Sequence, residues 1–376
     1  MIDLVKDRNY GVDFLRIVSM FMAVVLHVLG QGGILDAATP GSTHYWVAWF
    51  LEIAGYCAVD CFALISGYVL SVTNTKISSI ASLWAQTFFY AASLTILFYL
   101  FFPGTEMTKY DILFSFFPVI TKQYWYVSAY IGMYIIVPVL NVALLHVKRT
   151  TLELVFIGML LVHSGFSLQF DPFHLGEGCS VMWLSLLYLL GGYFRKYDFV
   201  SKVKKYKGWL LYVSMTALTF TSKFVLENFV ALNEENEKYS DFLVSFVSPT
   251  VFIAAVGLFL ATSQINFSKT AKKFISLFSP AAFGVYLIHV CKPVWVDVFK
   301  GFSVDFIKYN PVVMVLLVLA ASVVIYFVCS VIELIRIYLF RVLKINELFT
   351  LIEKICKKFL NKWCYKFNHD KELLLK

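Results

Sequence analysis

Charge is scarce in this sequence. Asp, Glu, Lys and Arg make up 15% of the 376 residues, against about 25% in an ordinary soluble chain. That is too little polar material to coat a water-soluble globule of this length, so the apolar surplus must face lipid. Metal-ligating patterns are also missing. The seven histidines form no HExxH spacing, and the seven cysteines are an odd number with no CxxC pair. Cys57 and Cys61 lie one helical turn apart, but no neighbouring ligands complete a site. A cleavable leader is not evident: Met1–Tyr10 is polar, and the long apolar run after it lacks a small-residue cleavage site, so that run reads as a retained anchor. Low-complexity linkers and internal repeats are lacking too. The net charge of +8 does not point to nucleic acid, because the basic residues fall in short clusters between apolar runs and form no continuous basic face.

What the sequence has is apolar length. Hydrophobic residues make up 60% of it, and ten stretches are long enough to span a bilayer: 11–31, 46–72, 80–103, 124–145, 151–170, 179–196, 207–227, 241–262, 274–297 and 311–341. The ninth is the weakest, holding Pro280, His289, Lys292 and Pro293. Residues 104–123 are too short in apolar run to cross and read as an interfacial or re-entrant piece. Lys and Arg crowd alternate connections: Lys148 and Arg149, six cations from Arg195 to Lys207, and Lys269 to Lys273, with few in the intervening loops. This alternation predicts an all-α polytopic fold with ten crossings and both termini cytoplasmic. The expected organisation is one transmembrane domain over 1–345, followed by a basic amphipathic tail over 346–376. The tail sets Lys354, Lys357, Lys358, Lys362 and Lys366 among Leu, Ile, Phe and Trp363, a composition suited to an anionic inner leaflet.

Ionisable side chains inside apolar spans are costly and become candidates for function. The first span holds Asp13, Arg16 and His27. His27 lies eleven positions after Arg16, about 20° beyond three full turns, so both project from one face about 16 Å apart. Asp13 lies three residues before Arg16 and can pair with it. The plainer alternatives are a snorkelling arginine and a packed histidine. The second span carries Asp60 and Ile65-Ser66-Gly67-Tyr68, for which close helix packing through small residues is the plain alternative. Tyr124-Trp125-Tyr126 opens the fourth span, where an aromatic belt would also explain the rings, and Asn141 lies near its end. His289 is a second histidine within a span.

Arg8-Asn9-Tyr10-Gly11-Val12-Asp13-Phe14-Leu15-Arg16 followed by His27 resembles the opening of the acyltransferase-3 family, bacterial membrane acyltransferases that modify cell-surface glycans. The family's first helix has an Arg, ten residues, then a His. Val59-Asp60-Cys61-Phe62 with Ile65-Ser66-Gly67-Tyr68 resembles its second-helix motif. Tyr124-Trp125-Tyr126 through Tyr134, Pro138 and Asn141 is similar to its Trp-Tyr motif, and Tyr286-Leu287-Ile288-His289 to its late Tyr-Leu-Ile-His motif. The matches fall in the family's order across nearly the whole chain. One departure is the start of the third helix, Arg-rich in many members but Ser82-Leu83-Trp84-Ala85-Gln86 here. Another is the C-terminal end, a short basic tail where some members add an extracytoplasmic hydrolase-like domain.

The resemblance implies an O-acetyltransferase of the bacterial cytoplasmic membrane. It would move acetyl from cytosolic acetyl-CoA, a co-substrate rather than a resident cofactor, to a hydroxyl of a polysaccharide or polyprenyl-linked saccharide. His27 would serve as general base or as transient acyl carrier, with Arg16 and Asp13 beside it in the catalytic group. Arg16, Ser66, Tyr68 and Trp125 would contact the donor, and Asp60, Tyr126, Asn141 and His289 the acceptor. No metal is implied, and homo-oligomerisation is compatible with it. Intramembrane Arg, Asp and His suit a transporter or flippase for a lipid-linked sugar or small anion equally well on physical grounds, although repeat symmetry between halves is lacking. A scaffold for glycan synthesis, or an enzyme using another acyl group such as succinyl, are further readings.

Overall fold

The computed structural model describes residues 8–374 except 74, 103, 106, 165–170, 172–173 and 231–238, and leaves undescribed the side chains of 163–164 and 360–374. Sixteen α-helices are present among the described residues. They are α1 (Tyr10–Leu29), α2 (Ile34–Ala37), α3 (Thr43–Gly55), α4 (Ala58–Leu70), α5 (Ile77–Phe101), α6 (Lys109–Ser115), α7 (Trp125–His146) and α8 (Arg149–Gly158). There follow α9 (Val181–Lys196), α10 (Phe199–Lys202), α11 (Lys205–Phe229), α12 (Pro249–Thr262), α13 (Lys269–Phe278), α14 (Ala282–His289), α15 (Pro311–Val342) and α16 (Ile345–Leu374). Seven helical segments are long and apolar enough to cross a membrane, and α12 is a shorter apolar helix. The chain is therefore a multi-pass membrane protein. Some expected spans are less regular than the hydropathy suggested. The second is two helices, α3 and α4, meeting at Tyr56–Cys57. The fifth is α8 continued by a π-helical turn at Met159–Ser164, and its remainder, 165–170, lies outside the described residues.

Helix α1 is the axis of the molecule and packs against α3, α4, α12, α13, α14 and α15. Its start is fixed by sequence. Asn9 caps it, Oδ1 accepting from the Gly11 and Val12 amides at 2.9 and 3.1 Å. The Asn9 amide also donates to the Ser263 carbonyl at 3.1 Å, tying α1 to the end of α12. Gly11 permits that approach, since a Cβ there would overlap the Thr262 carbonyl oxygen. Small residues do the same between α4 and α9: a Cβ on Gly67 would overlap the Tyr188 carbonyl, and one on Gly191 the Leu64 carbonyl. At the far end of α1, Gly33 (φ +89°) turns the chain. Backbone bonds from Gly301 to the Gln31 carbonyl (2.9 Å) and from Ser303 to the Gly32 carbonyl (3.1 Å) clamp that loop.

The outer surface is apolar. On α15, Leu316, Val324, Phe327 and Ile335 are exposed, while Ser322, Ser330 and Glu333 face inward and are buried. On the tail helix α16, Asn346, Thr350, Glu353 and Lys357 form one stripe, and Glu353 accepts from the Ser78 amide at the start of α5 (2.9 Å). Leu348, Leu351, Ile352, Ile355 and Phe359 form the opposite stripe and are exposed. The expected cations Lys362 and Lys366, with Trp363, lie among the tail side chains outside the described residues.

Candidate active site

The expected face of α1 lines two cavities. Arg16 borders a chamber of about 290 Å³ with Ser66, Tyr130, Ser279 and Pro280. His27 borders a second, of about 120 Å³, with Met20, Trp125, Phe246 and Tyr286. Phe62, Tyr126 and Phe283 line both. The two chambers therefore adjoin across an aromatic waist, with Arg16 on one side and His27 on the other.

Arg16 is held by a small polar cluster. Its Nη1 donates to Asp13 Oδ1 at 3.2 Å and to Ser279 Oγ at 3.1 Å, and Ser279 donates to Asp13 Oδ1 at 3.2 Å. Arg8 Nε donates to the other Asp13 oxygen at 2.5 Å. Asp13 thus orients two guanidinium groups and does not line either chamber. Ser279 is available because the ninth expected span breaks: Pro280 sits in the turn between α13 and α14, where its missing N–H costs nothing.

Proton placement on His27 follows from its neighbours. His289 Nδ1 lies 2.6 Å from the Val285 carbonyl oxygen, which can only accept, so Nδ1 carries a proton. With the ring neutral, His289 Nε2 is then an acceptor. It lies 2.8 Å from His27 Nδ1, which must donate to it. A neutral His27 therefore keeps its lone pair on Nε2. His289 is fully buried and lines neither chamber, whereas His27 is part-exposed and borders one. Trp295 packs edge-on to the His27 ring at 4.8 Å, and its carbonyl accepts from Gln31 at 2.9 Å.

The remaining expected residues divide. Trp125 and Tyr126 line the His27 chamber, positioned by Tyr124, whose buried hydroxyl donates to the Leu287 carbonyl at 3.0 Å. Ser66 lines the Arg16 chamber while its hydroxyl donates to the Phe62 carbonyl at 2.9 Å. Tyr68, Asp60 and Asn141 border neither chamber. Tyr68 packs between the Arg195 guanidinium (4.9 Å) and Phe259 (5.4 Å). Asp60 is fully buried and accepts from Trp183 Nε1 at 2.9 Å, and Asn141 accepts from the Tyr188 hydroxyl at 2.8 Å. All three join neighbouring helices in the positions described here.

Sequence reasoning did not single out Phe62, Phe283, Ser279 or Tyr286 for the site. The Tyr286 hydroxyl is buried, makes no hydrogen bond of ordinary geometry among the described residues, and belongs to a residue lining the His27 chamber. Its signal was present, since Tyr286 lies one helical turn before His289 in the late motif.

A helical membrane protein with a basic residue and an oriented imidazole on one helix, lining adjoining chambers, belongs to the class that can do acid–base chemistry within the bilayer. The chain is a member of the acyltransferase-3 family: the family's sequence model, described as an acyltransferase domain, matches residues 9–331. No curated protein and no solved structure matches the chain.

Proposed function

We propose that this protein transfers an acetyl group from cytosolic acetyl-CoA to a hydroxyl of an exported polysaccharide or polyprenyl-linked saccharide at the bacterial cytoplasmic membrane. In this reading the chain crosses the membrane ten times with both termini cytoplasmic. The observation that supports it most is the 2.8 Å contact of His27 Nδ1 with His289 Nε2, which leaves the Nε2 lone pair to a neutral His27 at the border of a chamber adjoining that of Arg16.

Arg16 meets the donor, as a delocalised cation suited to phosphate or the polar pantetheine arm. Asp13 holds Arg16 in place. The arm passes the waist of Phe62, Tyr126 and Phe283, bringing the thioester beside His27. His27 Nε2 takes the proton of the acceptor hydroxyl as its oxygen attacks the thioester carbonyl. The C–O bond forms, the tetrahedral intermediate collapses with cleavage of the C–S bond, and the imidazolium returns the proton to the departing thiolate. Tyr286 is placed to donate to the developing oxyanion. His289 acts through His27 by fixing its tautomer, and Trp125 presents a ring face at the acceptor end. Tyr68, Asp60 and Asn141 contribute by holding the helices that carry these groups.

Purified protein in nanodiscs, incubated with radiolabelled acetyl-CoA and a glycan acceptor, tests the proposal. Label should move to the glycan, and His27→Ala should lower transfer by about 10²–10⁴-fold, the usual contribution of a general base, while the protein still inserts. Glycan acetylation by that variant at the native rate would refute the assignment.

A further inference from the structure

A third cavity, of about 480 Å³, opens where α5 and α16 begin. It is bordered by Lys76, Ser79 and Ser82 at the start of α5, by Arg336 of α15, and by Asn346 and Thr350 of α16. Its volume is within the range of about 300–1,000 Å³ usual for small-molecule sites. Leu83 lines this basin and also the Arg16 chamber. The polar, cation-bearing basin and the Arg16 chamber thus lie on either side of Leu83, and the Arg16 chamber adjoins that of His27 at the aromatic waist.

The basin's chemistry favours anions. Lys76 and Arg336 supply positive charge. Arg336 is anchored by the fully buried Glu333 through Nε (3.1 Å) and Nη2, and its guanidinium lies over the Phe340 ring at 4.6 Å. Glu333 is in turn held by the Tyr90 hydroxyl (2.7 Å) and the Gln86 amide (3.0 Å), so its charge is spread over several donors. Hydroxyls of Ser79, Ser82 and Thr350 and the Asn346 amide complete the wall, with Ser82 donating to Asn346 at 3.0 Å. A ligand with a phosphate-rich polar head and a long uncharged arm matches this order of surfaces: head in the basin, arm past Leu83 and Arg16, reactive end at His27.

We propose that this basin binds the phosphorylated nucleotide head of a CoA thioester, and that the tail helix α16 is one wall of the donor site. The inference rests on the acyl-transfer reading above. It assigns the anchoring charge to Arg336 and two polar groups of the tail, all beyond residue 331, where the family match ends. They stand beside the Ser82–Gln86 stretch, which carries no arginine.

The test compares two donors in the full chain in nanodiscs: acetyl-CoA, and the acetyl thioester of N-acetylcysteamine, which lacks the nucleotide. Lys76→Ala, and Thr350→Trp, which fills the basin from the tail, should each raise the KM for acetyl-CoA about tenfold relative to the KM for the truncated donor, the loss expected for one charge-assisted contact. Adenosine 3′,5′-bisphosphate should compete with acetyl-CoA and bind both variants correspondingly more weakly by calorimetry. Equal KM changes for both donors, or none, would overturn the proposal. So would variants whose only defect tracks the phosphatidylglycerol content of the nanodisc, which would mark the basin as a lipid-headgroup site. If neither donor supports transfer by the native protein, the acyl-transfer reading fails, and calorimetry with CoA and the bisphosphate alone still decides whether the basin takes a nucleotide head.

Discussion

His289 is the residue whose removal tests the site most sharply, because it lines neither chamber and its side chain hydrogen-bonds directly to His27. In the structure it accepts the His27 Nδ1 proton across 2.8 Å. Replacing it with Phe leaves that N–H without an acceptor inside the protein, at a cost of about 1–3 kcal/mol. The ring escapes this penalty by moving the proton to Nε2, where it can no longer accept one from a substrate. The base-competent tautomer is then depleted by about 5–150-fold, the factor equivalent to that energy. His289→Phe should lower kcat by that amount with little change in the KM for acetyl-CoA. His289→Gln, whose Oε1 can accept the same proton, should recover much of the loss. The double variant His27→Ala/His289→Phe should be no slower than His27→Ala alone, since the second change acts only through a ring already gone. The assay is steady-state transfer of radiolabelled acetyl to glycan, with each variant normalised to its folded fraction by size-exclusion chromatography. A native rate in His289→Phe, or a double variant slower by the product of the two single losses, would refute the tautomer argument.

Tyr286→Phe removes a buried hydroxyl that makes no hydrogen bond of ordinary geometry among the described residues. It should lower kcat by about 10²–10³-fold if that group stabilises the oxyanion, and raise thermal stability slightly or leave it unchanged, which a melting curve in detergent reads in the same preparation. Gly67→Ala should destabilise by about 1–3 kcal/mol, because its Cβ would overlap the Tyr188 carbonyl and push α4 from α9. Gly158→Ala, with nothing within 4 Å of its Cβ, should be neutral or stabilising by up to about 1 kcal/mol, and unfolding midpoints compare the two. Docking of the tail should depend on pH. Hydrogen bonds from Lys357 and Ser78 hold the Glu353 carboxyl down at about 2, below its ordinary value of 4.5. The contribution is complete above about 4.5 and is lost as pH falls from there through about 2. Protease cleavage within α16 should therefore rise across that interval, and Glu353→Gln should show the faster cleavage already at neutral pH.

How much of this was legible in the sequence depends on whether a feature is set within one helix or between several. The shared face of Arg16 and His27 is a property of helical period alone, and the structure places both on adjoining chambers. The close packing at Gly67 could be read from residue size. Span counting was less secure, because hydropathy sees composition and cannot see backbone. Pro280 divides what composition joins, and the stretch before α12 is apolar without being continuous helix. The residues that the sequence left unmarked all act between helices. Ser279 reaches Arg16 across 263 positions, and Glu333 meets Gln86 across 247. No local pattern encodes such pairings.

Glu333 and Arg336 could nevertheless have been found. An acid and a base three residues apart, at the end of a run otherwise as apolar as α15, carry the same physical cost that drew attention to Asp13 and Arg16. The pair stands near the end of the span, where cations satisfy a topology signal first. That substitution of one explanation for another is general in membrane proteins: a charge near the end of a span answers the positive-inside bias whether or not it also holds a ligand. The two roles separate by burial. A topology cation is solvated and needs no partner, while Arg336 is inward, paired to a carboxylate with no exposed surface, and bordered by a cavity that shares Leu83 with the Arg16 chamber. Burial of its counter-ion is what makes Arg336 more than an orientation signal, and only the folded chain displays it.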